Sequence, residues 1–255
     1  MTSDKWEKDI KFWKTEDVLK LANHFHYLND ENDLYQHVRV HHFKMSSENV
    51  MKFRLIGEID TMKICLAIDT DENETKFRFY PILEMTAVGV VGKVQIPLEP
   101  KAIEGDSSES VIVPGIFKDM IQENWNKIDI TYIDDLFIAQ AQNEEGKLLD
   151  QMVRVHEFRI SKDMIKVINE LNIQVPVEDD RQVMEPNIQE IDLYPGVDMN
   201  KFGRKEYISF APVLGFKHLS NSSTYNRIGI VESQGKETLI EYTLPCPPCK
   251  DRRKK

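Results

Sequence analysis

The sequence predicts an α+β fold, mostly antiparallel sheet with short helices, arranged as two related halves. Three observations carry this. The segment Leu34–Ser46 (LYQHVRVHHFKMS) returns as Leu149–Ser161 (LDQMVRVHEFRIS), with eight of thirteen positions identical. In each copy a strand-like alternation ends at a serine suited to cap a following helix. Elsewhere, short β-rich runs separated by polar turns outnumber helical stripes.

Taken in order, residues 3–14 read as an amphipathic helix that Ser3 can cap, with Trp6, Ile10 and Trp13 at i, i+4 and i+7. Thr15 opens a second helix. Glu16 and Asp17 suit its first turn, and Val18, Leu21, Ala22, Phe25 and Leu28 form one stripe. A polar turn at 29–33 leads into the first repeat copy. Read as one strand over 34–45, it points Arg39, His41 and Phe43 to one face and Val38 and Val40 to the other. Phe53–Ile59, Met62–Ile68 and Lys76–Ile82 continue as strands, and Met85–Leu98 as another, with a bulge suggested by Gly89 and Gly92.

Glu99–Ser110 is polar and apolar-poor, a linker or long loop. A short strand at Val111–Val113 and a helix over about 115–126 follow. Asp129–Ala141 and Lys147–Ile160 read as a hairpin turning at Gly146. Ser161 caps a helix over about 162–172, with Met164, Ile165, Ile168 and Leu171 on one face. Residues 176–200 read as irregular and acidic, Tyr207–Leu214 as a strand, and Ile228–Glu232 with Glu237–Tyr242 as a closing hairpin. The division this implies is 1–98 as a helix–helix–meander half, 99–110 as linker, 111–245 as the second half and 246–255 as a basic tail. One sheet shared by both halves is the alternative.

Net charge is −10. The tail Lys250–Lys255 holds five basic residues and one acidic residue, a formal +4, which leaves −14 on the body. An acidic body repels nucleic acid and anionic membrane, so neither is expected as a partner. No apolar run reaches the roughly 20 residues that span a bilayer, and the N-terminus has no apolar signal core; the expected address is the cytoplasm or a particle assembled there.

Several tempting sites fall on geometry. Five of the seven histidines lie between positions 24 and 42. On a helix His24 and His26 diverge by about 200°, and on a strand His37 and His41 stand about 13 Å apart, so no metal is expected. Cys246-Pro247-Pro248-Cys249 has C-x-x-C spacing, but no helix start and no second ligand pair accompany it; it reads as a stiff exposed tail. Cys65 reads as a buried small hydrophobe. The sequence has no G-x-x-x-x-G-K-[ST] loop and no G-x-S-x-G elbow, and no cofactor is expected.

Two function classes remain. The first is a non-enzymatic binding or structural component acting through a protein partner or a homo-oligomer. Its anchors are Trp6 and Trp13 on the first helix, with the repeated pairs Arg39/His41 and Arg154/His156. Those pairs either receive an anion or a partner's carboxylate, or satisfy neighbouring groups within a duplicated packing unit. The second class follows from Tyr132-Ile133-Asp134-Asp135, which resembles the Tyr-x-Asp-Asp hairpin of reverse transcriptases. That resemblance covers about ten residues and implies metal-dependent nucleotidyl transfer by Asp134 and Asp135, with Asp69 as the upstream acid. Glu104-Gly105 stands where that family carries Gln-Gly.

Overall fold

The computed structural model describes residues 3–29, 36–71, 77–102, 116–143, 147–177, 180–219, 231–232, 237–240 and 243–246. The chain runs through α1 (Ser3–Thr15), a 3-10 turn (Val18–Lys20), α2 (Leu21–His24), β1 (His26–Asn29), β2 (Gln36–Arg39), β3 (His42–Lys44), α3 (Ser47–Arg54), β4 (Ile59–Ile68), β5 (Phe79–Ala87), β6 (Val94–Pro97) and β7 (Glu99–Lys101). It continues through α4 (Ile116–Lys127), 3-10 turns at Ile130–Tyr132 and Asp134–Phe137, β8 (Ile138–Gln142), β9 (Leu148–Arg154), β10 (Glu157–Ile160) and α5 (Lys162–Leu171). Last come β11 (Gln174–Val177), β12 (Asp180–Pro186), β13 (Ile188–Tyr194), β14 (Val213–His218), β15 (Val231–Glu232), β16 (Glu237–Ile240) and β17 (Thr243–Cys246). The fold is α+β, and every strand pair among the described residues is antiparallel.

Strands from either side of residues 99–110 share both large sheets. The first sheet has the order β17-β10-β4-β5-β6 and the second β15-β16-β14-β13-β3-β7. Thus β4–β6 are flanked by β10 and β17 from the later part of the chain, while β13, β14 and β16 are flanked by β3 and β7 from the earlier part. The helices cross over likewise. Asn169 on α5 bonds both the N–H and the C=O of Ile59 at the start of β4 (2.9 Å each), while Arg54 at the end of α3 donates to the carbonyl of Ile188 at the start of β13 (2.7 Å). Residues 103–110 lie outside the described set.

Alternation on the strands explains the layering. Met62, Ile64, Leu66 and Ile68 of β4 and Ile191 and Leu193 of β13 enter one apolar core. Cys65 and Ala67 of β4 face outward beneath α1, and Tyr194 of β13 faces outward beneath α4. The core holds Trp13, Phe25, Phe79, Trp125, Phe137 and Phe210. Phe25 stacks on Phe137 with ring centroids 5.3 Å apart. Phe25 meets Phe79 at 4.2 Å and Phe137 meets Phe210 at 4.6 Å.

The two similar segments form the same local structure: a strand, a two-residue break at Val-His, a second strand, a serine cap and a helix. Ser46 and Ser161 each accept a hydrogen bond from the N–H three residues on, at 3.4 Å. Their surroundings correspond too. The Trp125 indole donates to the carbonyl of Val40 and the Trp13 indole to that of Val155, both at 2.9 Å. Val40 N–H donates to Phe25 and Val155 N–H to Phe137, again at 2.9 Å.

Several expectations need correction. Phe53–Ile59 is not a strand: α3 runs to Arg54 with Leu55 as its cap, and β4 begins only at Ile59. Residues 176–200 are not irregular, for they hold the end of β11, β12 and β13. The strand expected over Tyr207–Leu214 begins only at Val213, and Glu99–Lys101, expected as linker, is the edge strand β7. Residues 34–45 are not one strand, because the N–H and C=O of Val40 bond Phe25 and Trp125 rather than a ladder. The helix expected from Thr15 is instead the end of α1, a 3-10 turn capped by Asp17 and the single turn of α2, after which β1 takes over. Residues 130–137 are 3-10 turns, not strand: Asp129 caps them, and Ile133 and Leu136, three apart, are both buried. Residues 88–93 turn a hairpin rather than forming a bulge, with Gly89 at φ 73° and Gly92 at φ 121°, where a side chain is strained. The C-P-P-C motif past Cys246 and the basic tail lie outside the described residues.

Candidate functional site

The N-terminal half of α1 lies on the outer face of β4 and β5. Trp6 and Ile10 pack there against Cys65, Ala67, Tyr80 and Ile82. Asp9 is fully buried, and its carboxylate accepts from the Tyr80 hydroxyl (2.5 Å), the Thr70 hydroxyl (2.8 Å) and the Thr70 N–H (3.1 Å). One turn earlier, Lys5 bonds Asp69 (2.6 Å) and Asp71 (2.5 Å) and lies 3.7 Å from Asp9. Burial opposes its charge, but these three carboxylates overcome that and raise its pKa. Burial and the bond to Asp9 push the Tyr80 phenol up as well, so it stays protonated and donating. Burial lifts the Cys65 thiol to about 12, which leaves it inert.

Beside this network opens a cavity of about 390 Å³, within the roughly 300–1,000 Å³ range of small-ligand sites. Trp6, Phe77 and Tyr80 supply aromatic surface; Pro97, Leu98 and Pro100 come from the β6–β7 stretch; Glu48, Asn49 and Lys52 come from α3. Asp69, Gln95 and Glu99 complete its polar lining. Lys52 pairs with Glu48 at 2.7 Å and Lys101 with Glu99 at 3.1 Å. The indole N–H of Trp6 is buried and has no hydrogen-bond partner among the described residues. A second cavity of about 410 Å³ lies along β10, β4 and β5, walled by a charge ladder in which Lys63 joins Glu84 and Glu157.

The structure gathers some of the sequence-derived candidates and disperses the rest. Trp6 and Asp69 line the same cavity. Trp13 is fully buried and belongs to the core. Both arginines cap helix ends. Arg154 donates to the carbonyls of Trp13 (2.6 Å) and Glu16 (2.7 Å) at the end of α1; Arg39 donates to the carbonyl of Trp125 at the end of α4 and to His26 (2.7 Å). Each guanidinium also lies over the tryptophan it caps, at 5.8 Å for Arg154 and 5.7 Å for Arg39. A cation suits a helix C-terminus, where carbonyls lack partners. His41 contacts His42 and Gln122, and burial, then Lys118, lowers its pKa. Burial, then Lys14 and Arg154, lowers that of His156.

Asp134 accepts from the N–H of Ala22 at the start of α2 (2.9 Å), and burial raises its pKa. Asp135 is exposed. Asp69 instead belongs to the Lys5 network. Among the described residues no three His, Cys, Asp or Glu side chains stand where they can share a metal ion.

Sequence reasoning missed the α3 and β6–β7 walls of the cavity. The signal available was the pair Pro97, which ends β6, and Pro100, within β7, both on edge strands. It also missed a second buried polar group beneath α4, drawn from positions too far apart to read together. There Lys118 lies 3.9 Å from the centroid of the Tyr194 ring, and Tyr194 donates to Glu237 at 3.0 Å. Lys217 lies 3.5 Å from Asp192, whose other carboxylate oxygen has no partner among the described residues. Burial lowers the pKa of Lys118 and raises those of Asp192 and Glu237.

Comparison with known protein families, curated proteins and solved structures finds no match. No helix among the described residues is long and apolar enough to cross a membrane.

Proposed function

We propose that this chain is a non-enzymatic binding component that works through protein contacts, within an oligomer or a larger assembly, and that its two related units arose by internal duplication. The observation that carries the binding reading is the aromatic and proline-walled cavity beside α1. Its carboxylates are tied to lysines, as Asp69 is to Lys5, Glu48 to Lys52 and Glu99 to Lys101. The duplication reading is supported by the crossed contacts, in which each tryptophan-bearing helix is braced by the arginine and valine of the other unit's repeat. Asn49→Trp, on the cavity wall, fills the space without touching the core. Affinity capture from the native source followed by native mass measurement is expected to retain a partner or a second copy with the unaltered chain and to lose it with Asn49→Trp. Recovery of a lone monomer in both cases overturns the proposal.

A further inference from the structure

Building on that reading, we infer that the guest of the α1 cavity is a cationic side chain, lysine or arginine, carried on an apolar stretch of a protein partner. Among the described residues the lining sets three carboxylates, Glu48, Asp69 and Glu99, against one ammonium, Lys52. Lys5, which pairs with Asp69, is itself shared with Asp9 and Asp71. Glu99 in turn pairs with Lys101, so among the described residues five carboxylates (Glu48, Asp69, Glu99, Asp9 and Asp71) stand against three ammoniums (Lys52, Lys101 and Lys5) in and behind the wall, and an excess of negative charge remains. An anionic guest meets repulsion there and a cation meets attraction, stronger at the buried Asp69 than at Glu48 and Glu99, which stand in solvent.

The apolar part of the lining suits the rest of such a guest. Long basic side chains bury their methylene stems on apolar surface while the charged head finds anions or an aromatic face. Trp6, Phe77 and Tyr80 provide the faces, Pro97 and Leu98 the surface for the stem. The unpartnered Trp6 indole N–H is a donor available to a carbonyl of the guest's backbone.

The other unit contains an internal version of the same contact. Trp6 stands seven residues before Trp13, and Lys118 stands seven residues before Trp125. At that position α4 thus places its own ammonium on an aromatic ring, Tyr194, close to buried carboxylates. The α1 side has the aromatic groups and the carboxylates but carries an indole where α4 carries the cation. Lys5, one residue earlier, bonds Asp69 and Asp71; a partner's lysine or arginine over the rings of Trp6, Phe77 or Tyr80 makes at α1 the cation–aromatic contact that Lys118 makes at α4.

The test titrates the full chain with n-butylguanidinium, n-butylammonium, pentanoate and n-butylurea, following the indole N–H resonances by NMR. The two cations are expected to shift the Trp6 resonance saturably in the millimolar range, at least tenfold more tightly than pentanoate or butylurea. The Trp13 and Trp125 resonances stay in place. Glu48→Gln with Glu99→Gln, both exposed positions, is expected to weaken the cations at least fivefold with the fold intact, and Asn49→Trp to abolish the shift. Equal binding of cations, pentanoate and butylurea overturns the cation assignment while leaving a binding cavity. Absence of any Trp6 shift, together with partner capture that Asn49→Trp does not alter, overturns both this inference and the binding reading beneath it.

Discussion

Helices α1 and α4 agree at their C-terminal ends and differ at their N-terminal ends. In their last turns Trp13 and Trp125 donate to Val155 and Val40, and Arg154 and Arg39 cap the same tryptophans. Seven residues earlier one helix carries Trp6 and the other Lys118. The matching ends point into the shared core, where an indole must find an acceptor and a helix terminus must find donors. The differing ends lie on the outer faces of the two sheets, where one presents aromatic rings and carboxylates around a cavity and the other buries a lysine against Tyr194. Packing demands account for the match of the inner ends, and the outer ends are where the two helices differ in chemistry.

The comparison breaks most visibly if the two braces are unequal. Trp13→Ala and Trp125→Ala are each expected to cost about 3–5 kcal/mol, measured by urea unfolding, and the two costs should agree within about 1 kcal/mol given the context dependence of such losses. A difference several times larger would show that the matching contacts carry unequal weight and would count against the duplication.

The strand position after the Val-His break offers a finer contrast, for it is His42 in one segment and Glu157 in the other. Burial, then His41, Lys44, Lys217 and Lys101, lowers the pKa of His42 to about 4. The unfolded chain therefore takes up the proton first. The contribution of His42 is complete above about pH 6.5, is lost progressively as pH falls toward about 4, and is flat below that. The loss is at most about 3 kcal/mol, and His42→Asn is expected to remove this share from a plot of unfolding free energy against pH, leaving the shares of His24, His41 and His156, whose pKa values burial also lowers. Burial opposes ionisation of Glu157, but Lys63 and Arg159 outweigh it and lower its pKa. Its contribution holds at neutral pH and is lost only under more acidic conditions, so Glu157→Gln should leave the slope between pH 6.5 and 4 in place.

The smallest expected effect is the most symmetric. Ser46→Ala and Ser161→Ala each remove one cap and are expected to cost about 1 kcal/mol, read from the same unfolding curves. Unequal costs here would separate the environments of α3 and α5, which cross to opposite sheets.

The sequence by itself determined the α+β class, the two serine caps, the helix after Ser161 and the strand at Met62–Ile68, because caps and strand runs depend on residues close in the chain; α3 itself is not legible in it. It also singled out Trp6 and Asp69, without a reason to join them. Only the tertiary structure decided that Arg39 and Arg154 serve helix ends, that Val40 leaves the ladder, and that Ile130–Phe137 coils rather than extends. The bonds responsible join residues far apart in the chain, such as Trp13 with Val155 and Arg39 with Trp125. The same holds for the exchange of β3 and β10 between sheets, and for the cavity assembled from α1, α3, β5 and β6. No local pattern encodes such meetings: burial selects among many pairings of similar strands, and that selection is made by the whole core at once.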